Sequence, residues 1–200
     1  LEKINLLLVG MASHNTKHRI PSEVNISNLI IPSEHLKSQA YLDNIQKWTV
    51  NQKMKLNEQK TKFMIFNLSK KKQFSTQLKL NDKHIEAVKE IKLLGTIIND
   101  HLKWNQNTRF LVKRAYARME LLRQLNKFTN STKDKIHIYK TYVRSVVEQS
   151  FVVWSSNLTS KNIRELERVQ KVAINLIANN KKTYKENLKL LNIETLTERR

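Results

Sequence analysis

Cysteine is absent from this chain, and glycine and proline occur only twice each in 200 residues. Without thiols there is no disulfide and no thiolate-bound metal. Two glycines provide no Gly-rich phosphate loop, and the G-x-S-x-G signature of serine hydrolases does not occur. So little Gly and Pro also argues against long flexible linkers. Long apolar runs are missing too: the longest, Leu6–Val9, extends at best through Ala12, far short of the roughly 20 residues a spanning helix needs. Acidic residues are few. Asp43, Asp82, Asp100 and Asp134 are scattered and none has an acidic neighbour, so there is no Asp-Asp pair of the kind that holds magnesium in polymerases and nucleases. Turn and cap roles account for Asp82, Asp100 and Asp134. His14 and His18 have the i, i+4 spacing of a zinc pair, but they border a stretch without helical period, and no metal site is expected.

Positive charge is abundant instead. Lys and Arg number 37 against 17 Asp and Glu, for a formal net charge of +20 and a pI of about 10.2. Such an excess repels itself in a folded chain and is best tolerated where a polyanion neutralises it, which makes nucleic acid the leading partner class. A membrane-surface protein would gather its charge in a terminal amphipathic helix with aromatic anchors. Here the charge runs the whole length, and no membrane association is expected. With 40% hydrophobic residues the chain can bury one large core or two small ones. It begins at Leu1 rather than Met, and the expectation is a piece of a longer polypeptide.

Periodicity divides the chain near residue 100. Residues 16–33, with Pro21 and Pro32, read as an irregular connection. From Ser33 or Glu34 a helix is predicted to about Met54, with Leu36, Tyr41, Leu42, Ile45 and Trp48 as its apolar stripe. Lys62–Phe66 reads as a strand buried on both faces. After the charged loop Ser69–Lys72, strands are predicted over Gln77–Leu80 and Lys83–Val88, joined by the turn-forming pair Asn81-Asp82. Another spans Ile91–Ile98, with Gly95 inside it as a turn or a bulge. Beyond Asp100 the pattern is helical. One helix covers 104–127, another runs from a cap at Ser131 or Thr132 to Trp154, and a third spans Ser160–Ala178. Two short helices follow, opened by capping boxes at Thr183/Glu186 and Thr195/Glu198. Trp48, Trp104 and Trp154 fall at apolar or boundary positions and are assigned to packing.

The helix at 104–127 stands out chemically. Arg109, Lys113, Arg114, Arg118, Arg123 and Lys127 face a single acid, Glu120, and Phe110 and Tyr116 are interleaved among them. Cations with aromatic neighbours at this density suit contacts to phosphate, sugar and base. A merely solvated basic face is the alternative.

The residues N-I-Q-K-W-T-V-N-Q-K-M-K-L-N-E-Q-K-T-K-F-M-I-F (44–66) and I-K-L-L-G-T-I-I-N-D-H-L-K-W (91–104) resemble the end of the palm, motif D and primer-grip hairpin, of non-LTR (LINE-type) retrotransposon reverse transcriptases of the jockey and CR1-like group. Y-K-T-Y-V-R-S-V-V-E-Q-S-F-V-V-W (139–154), L-E-R-V-Q-K-V-A-I-N-L-I (166–177) and L-T-E-R-R (196–200) are similar to the family's thumb. The resemblance covers roughly residues 38–200. It implies an α+β chain, with a partial-palm sheet and one packing helix over 1–100 and an all-α thumb-like bundle over 101–200. It also implies a primer–template of RNA and DNA as partner, the missing N-terminal palm and fingers as a second one, and an intracellular setting, nucleus or cytoplasm. Lys60 matches the motif D lysine that would protonate a pyrophosphate leaving group. Leu94 and Gly95 match the primer-grip turn, and Arg109, Lys113, Arg114, Arg118 and Arg123 line the adjoining basic helix. Magnesium is implied for the complete polymerase and none for this chain, because the family's [FY]-x-D-D turn would precede the segment at Leu1–Met11. The expectation is a chain that grips nucleic acid without catalysing nucleotide transfer. A non-enzymatic nucleic-acid-binding protein derived from a mobile element, or a helical protein meeting an acidic protein partner, are the alternatives.

Overall fold

In the computed structural model the described residues are 3–4, 7–12, 29–30, 35–67, 77–128, 131–179 and 182–199. The His14/His18 pair, Lys70–Lys72 and both prolines lie outside them. The chain forms two units, Leu1–Ile91 with Asn99–Leu102, and Lys92–Ile98 with Lys103–Arg200. The architecture is α+β with a helical C-terminal part. Among the described residues no helix is long and apolar enough to cross a membrane.

Among its described residues the first unit holds short, mostly parallel strands and one helix. Strand β1 (Lys3–Ile4) pairs in parallel with β4 (Lys55–Leu56). Strand β2 (Leu7–Ala12) lies between β3 (Leu29–Ile30) and β5 (Lys62–Asn67), and β8 (Glu86–Ala87) adds to the far side of β5, all in parallel. Thus a short strand stands inside the stretch predicted to be irregular. Parallel sheets are covered on both faces. Phe63, Met64 and Phe66 are accordingly all buried although they alternate in direction along β5.

Helix α1 (His35–Asn51) buries Ser38, Leu42 and Thr49, with Ile45 packed against the same core. That core unites Leu42, Leu56, Phe63, Leu78, Leu80 and Ile85. The spacing 38, 42, 45, 49 is a helical stripe whose two ends are polar, so an apolar count misplaces it. Tyr41 and Trp48, predicted inside, are 50% and 55% exposed because each lies to the side of this stripe. Of Leu36 only the backbone is described. Thr49 is accommodated because its hydroxyl donates to the Gln46 carbonyl at 2.8 Å.

Strands β6 (Lys79–Leu80) and β7 (Lys83–His84) form an antiparallel hairpin. Its turn residues Asn81 and Asp82 have φ of 49° and 60°, the double left-handed conformation of a type I′ turn. The Gln39 side chain seats this hairpin on α1, accepting from the Lys79 N–H and donating to its carbonyl, both at 2.9 Å. The strand predicted over Lys83–Val88 is split between two sheets. Ile85 turns into the core, where its N–H donates to the Leu78 carbonyl, and only beyond it does the chain join β5 as β8.

Strands β9 (Glu90–Leu93) and β10 (Thr96–Asn99) pair with each other across a two-residue turn, Leu94-Gly95. The single strand predicted over Ile91–Ile98 is therefore a hairpin. Gly95 is a turn residue and marks no bulge. The boundary between the units passes through this hairpin, and its tip, 92–98, belongs to the second unit.

In that unit α2 (Asn105–Phe128) buries Thr108, Leu111, Ala115, Met119 and Leu122. The helix predicted from Ser131 to Trp154 is not continuous. Helix α3 (Thr132–Ile138) passes into a π-helical stretch, Tyr139–Arg144, then α4 (Ser145–Val147), and breaks at Ser150, which is left-handed at φ 53°, before α5 (Phe151–Trp154) and a 3₁₀ turn, Ser155–Asn157. Helix α6 (Ser160–Ala178) presents Leu166, Val169, Ala173, Ile174 and Ile177 inward. Buried polar pairs cross-brace the bundle: Tyr139 donates its hydroxyl to Gln170 Oε1 at 2.7 Å, and Gln170 Nε2 donates to the Glu194 carbonyl at 2.8 Å. Helix α7 (Tyr184–Leu191) opens with the complete Thr183/Glu186 capping box. The equivalent Thr195/Glu198 pair also closes, at 2.8 and 3.1 Å, but caps a single turn where a helix was predicted.

Candidate nucleic-acid interface

A two-residue turn with both residues left-handed suits Asn-Gly, and here Leu94 takes the first place at φ 47°. A leucine in that region costs about 1–2 kcal/mol, and Leu94 is also 88% exposed, so it contributes nothing to the core. The turn accounts for the φ, but not for an apolar side chain left in solvent there. Gly95, at φ 86°, has a local reason. A Cβ placed there would lie 2.1 Å from Nε2 of Gln149, so the glycine admits the Gln149 amide to the turn. Gln149 Nε2 donates to the Leu94 carbonyl at 3.2 Å, and its Oε1 accepts from Arg114 Nη1 at 3.0 Å. On the other strand the Ile97 N–H donates to Asn107 Oδ1 of α2 at 3.0 Å. The hairpin tip is thus tied to the basic helix at two points.

Two cations gather on one ring at this place. Lys92 Nζ, from β9, lies 4.4 Å from the Phe110 ring centroid, and the Arg114 guanidinium lies 5.4 Å from the same centroid. An aromatic ring holds a cation without cancelling its charge. One turn further along α2, Arg118 lies 4.7 Å over the ring of Tyr142 and donates to the Tyr142 carbonyl at 3.0 Å. Helical spacing separates the remaining cations. Arg109 and Lys113 are exposed on the face of α2 away from the core, and Arg123 pairs with Glu120 at 3.1 Å. Leu94, Gly95 and Arg114 therefore come together through the Gln149 amide, Arg118 follows one turn on, and Arg109, Lys113 and Arg123 occupy another face.

The corner carrying Gln149 is itself anchored. Its carbonyl accepts from the indole N–H of the fully buried Trp154 at 2.8 Å. Glu148, beside it, accepts from Arg199 Nε at 2.6 Å and has Arg144 Nε at 3.6 Å. The hydrogen bond from Arg199 to Glu148, with the carboxylate's charge, holds the Arg199 guanidinium above its ordinary pKa.

Lys60 belongs to the first unit. It is exposed in the turn after β4, where its N–H donates to the Asn57 carbonyl at 3.1 Å and, more weakly, to Asn57 Oδ1 at 3.3 Å. Among the described residues no three His, Asp or Glu side chains converge on a metal position. Asp43 accepts from Gln39 within α1 at 2.8 Å, Asp82 sits in the β6–β7 turn, and Asp134 lies in the first turn of α3. These residues, on separate elements, do not fit a polymerase magnesium site.

Sequence reasoning missed Gln149, Lys92 and Asn107. Nothing in the composition marks Gln149, which lies 54 residues beyond Gly95. Only the glycine in a two-residue loop gave an indirect sign that something approaches closely.

No protein-family model matches this chain, and neither the curated proteins nor the solved structures include a match.

Proposed function

We propose that the helical unit and its hairpin tip grip the sugar–phosphate backbone of a primer–template duplex, as the palm end and thumb of a LINE-type reverse transcriptase, and that the chain by itself transfers no nucleotide. The observation that carries this reading is the Leu94-Gly95 tip: an exposed leucine at positive φ in the same hairpin as Lys92, whose ammonium, like the Arg114 guanidinium, rests on the Phe110 ring. Strain and exposure without a packing return are the mark of a contact made with something else. The chain's net charge of +20 sets the sign of that partner. Lys60 would take part in chemistry only alongside carboxylates that this sequence does not supply.

The test is binding of the full chain to primer–template over a range of salt. Each neutralised duplex phosphate adds about 0.9 to the magnitude of the log–log slope. A steep slope supports the grip, whereas salt-insensitive binding or none would sink it. Nucleotide incorporation on an RNA template by this chain alone would overturn the non-catalytic part of the reading.

A further inference from the structure

We propose that Gln149 is a positioning residue for the grip: a neutral amide that sets the hairpin tip and Arg114 in one register, so that Lys92 and Arg114 act on the same phosphate. This rests on the nucleic-acid reading above and adds to it a residue and a pair of cations acting together. The geometry favours this role for three reasons. The carboxamide uses both ends, donating to the Leu94 carbonyl at 3.2 Å and accepting from Arg114 at 3.0 Å. It reaches the turn only because residue 95 lacks a side chain, since a Cβ would stand 2.1 Å from its nitrogen. Its own backbone is fixed by the Trp154 indole at 2.8 Å and by the left-handed Ser150 that follows. An arginine on a flexible stem has many orientations. Fixing one of them within 5.4 Å of the Phe110 centroid, the ring that Lys92 meets at 4.4 Å, would let two positive charges serve one phosphate.

Because Gln149 carries no charge, its removal displaces no counterion directly, and this separates positioning from simple electrostatics. In the full chain, Gln149→Ala is expected to leave helicity unchanged and to raise amide exchange at residues 94–96 at least tenfold. Over about 50 to about 200 mM salt, it should also lower the log–log slope for primer–template binding by about 0.9, the share of one phosphate. Gly95→Ala provides a second, independent variant. Its loss of affinity should shrink when Gln149→Ala is also present, because the steric conflict is then gone and only the positive φ remains. An unchanged slope in Gln149→Ala, or a Gly95→Ala effect of the same size in both backgrounds, overturns the positioning role and leaves the grip standing. Absence of binding by the unsubstituted chain overturns the grip itself, whatever Gln149 does to the turn.

Discussion

Among the described residues both units pair cations with carboxylates, but the contacts of cations with aromatic rings lie in the second. In the first, described lysines meet carboxylates: Lys62 lies 2.7 Å from Glu86 across neighbouring strands, and Lys83 lies 2.7 Å from Glu58. In the second, Lys92, Arg114 and Arg118 lean on aromatic rings at 4.4, 5.4 and 4.7 Å. The second half is also the more basic, with 21 Lys and Arg against 8 Asp and Glu over residues 101–200, compared with 16 against 9 over residues 1–100. A carboxylate neutralises its partner, whereas a ring orients a cation and leaves its field intact. The pairs in the first unit stitch a sheet. The ring contacts in the second leave the charge of Lys92, Arg114 and Arg118 in place, while Arg123, Arg144 and Arg199 there meet carboxylates.

The largest effect is expected in the core of the helical unit. Trp154 is fully buried and holds the Gln149 carbonyl, so Trp154→Ala should cost about 3–5 kcal/mol in chemical denaturation and abolish binding with it. If only the first unit mattered for nucleic acid, binding by the surviving folded fraction would be unaffected. The next effect concerns alkali. Burial, partly offset by the charge of Arg144, pushes the Tyr139 phenol above its usual value of 10.0. The neutral phenol is thus favoured by folding, and this contribution is complete below pH 10 and lost as pH rises beyond it. Unfolding of the helical unit, followed by circular dichroism, should accompany tyrosinate absorbance rather than trail it.

Charge removal sharpens the contrast directly. Replacing Arg109, Lys113 and Arg114 by glutamine should lower the salt slope by at most about 2.7, three phosphates' worth, while Lys60→Ala in the first unit leaves it unchanged. A slope that responds to Lys60 and ignores α2 would reverse the assignment. Smaller still is the cap of α7. Thr183→Ala removes the capping hydroxyl and should cost about 1 kcal/mol. Its partner Glu186 is held below the usual 4.5 by hydrogen bonds from Thr183, so the box contributes above that pH and fails as pH falls beneath it. Fraying of α7 below pH 4.5, read by amide exchange, is the check. The smallest effect is Trp48→Ala, expected within about 0.5 kcal/mol because the ring is 55% exposed.

That last position illustrates where sequence reasoning reached its limit. Long helices were legible from period alone: 104–127 and Ser160–Ala178 are helices, and their inner sides carry Leu111, Ala115 and Leu122 on α2 and Leu166, Val169, Ala173, Ile174 and Ile177 on α6. Helix α1 was misread because Ser38 and Thr49 occupy its buried stripe while Tyr41 and Trp48 flank it. Asn81-Asp82 announced its turn chemically. Leu94-Gly95 announced only half of its own, because leucine is not a residue one expects at positive φ. The π-helical stretch and the break at Ser150 leave no trace in a pattern of valines that keeps a helical period. As for the site, the basic helix and the turn were visible, but their connection through Gln149 is a long-range fact that one sequence does not encode locally.

The proposed grip depends on contact between the hairpin tip and nucleic acid. A photocrosslinking amino acid placed at Leu94 of the full chain and irradiated with labelled primer–template tests it most directly. A covalent adduct on the duplex is expected, diminished by Gln149→Ala and abolished by excess heparin. Robust duplex binding with no adduct from position 94, while the same probe at Lys60 does form one, would contradict the proposed contact.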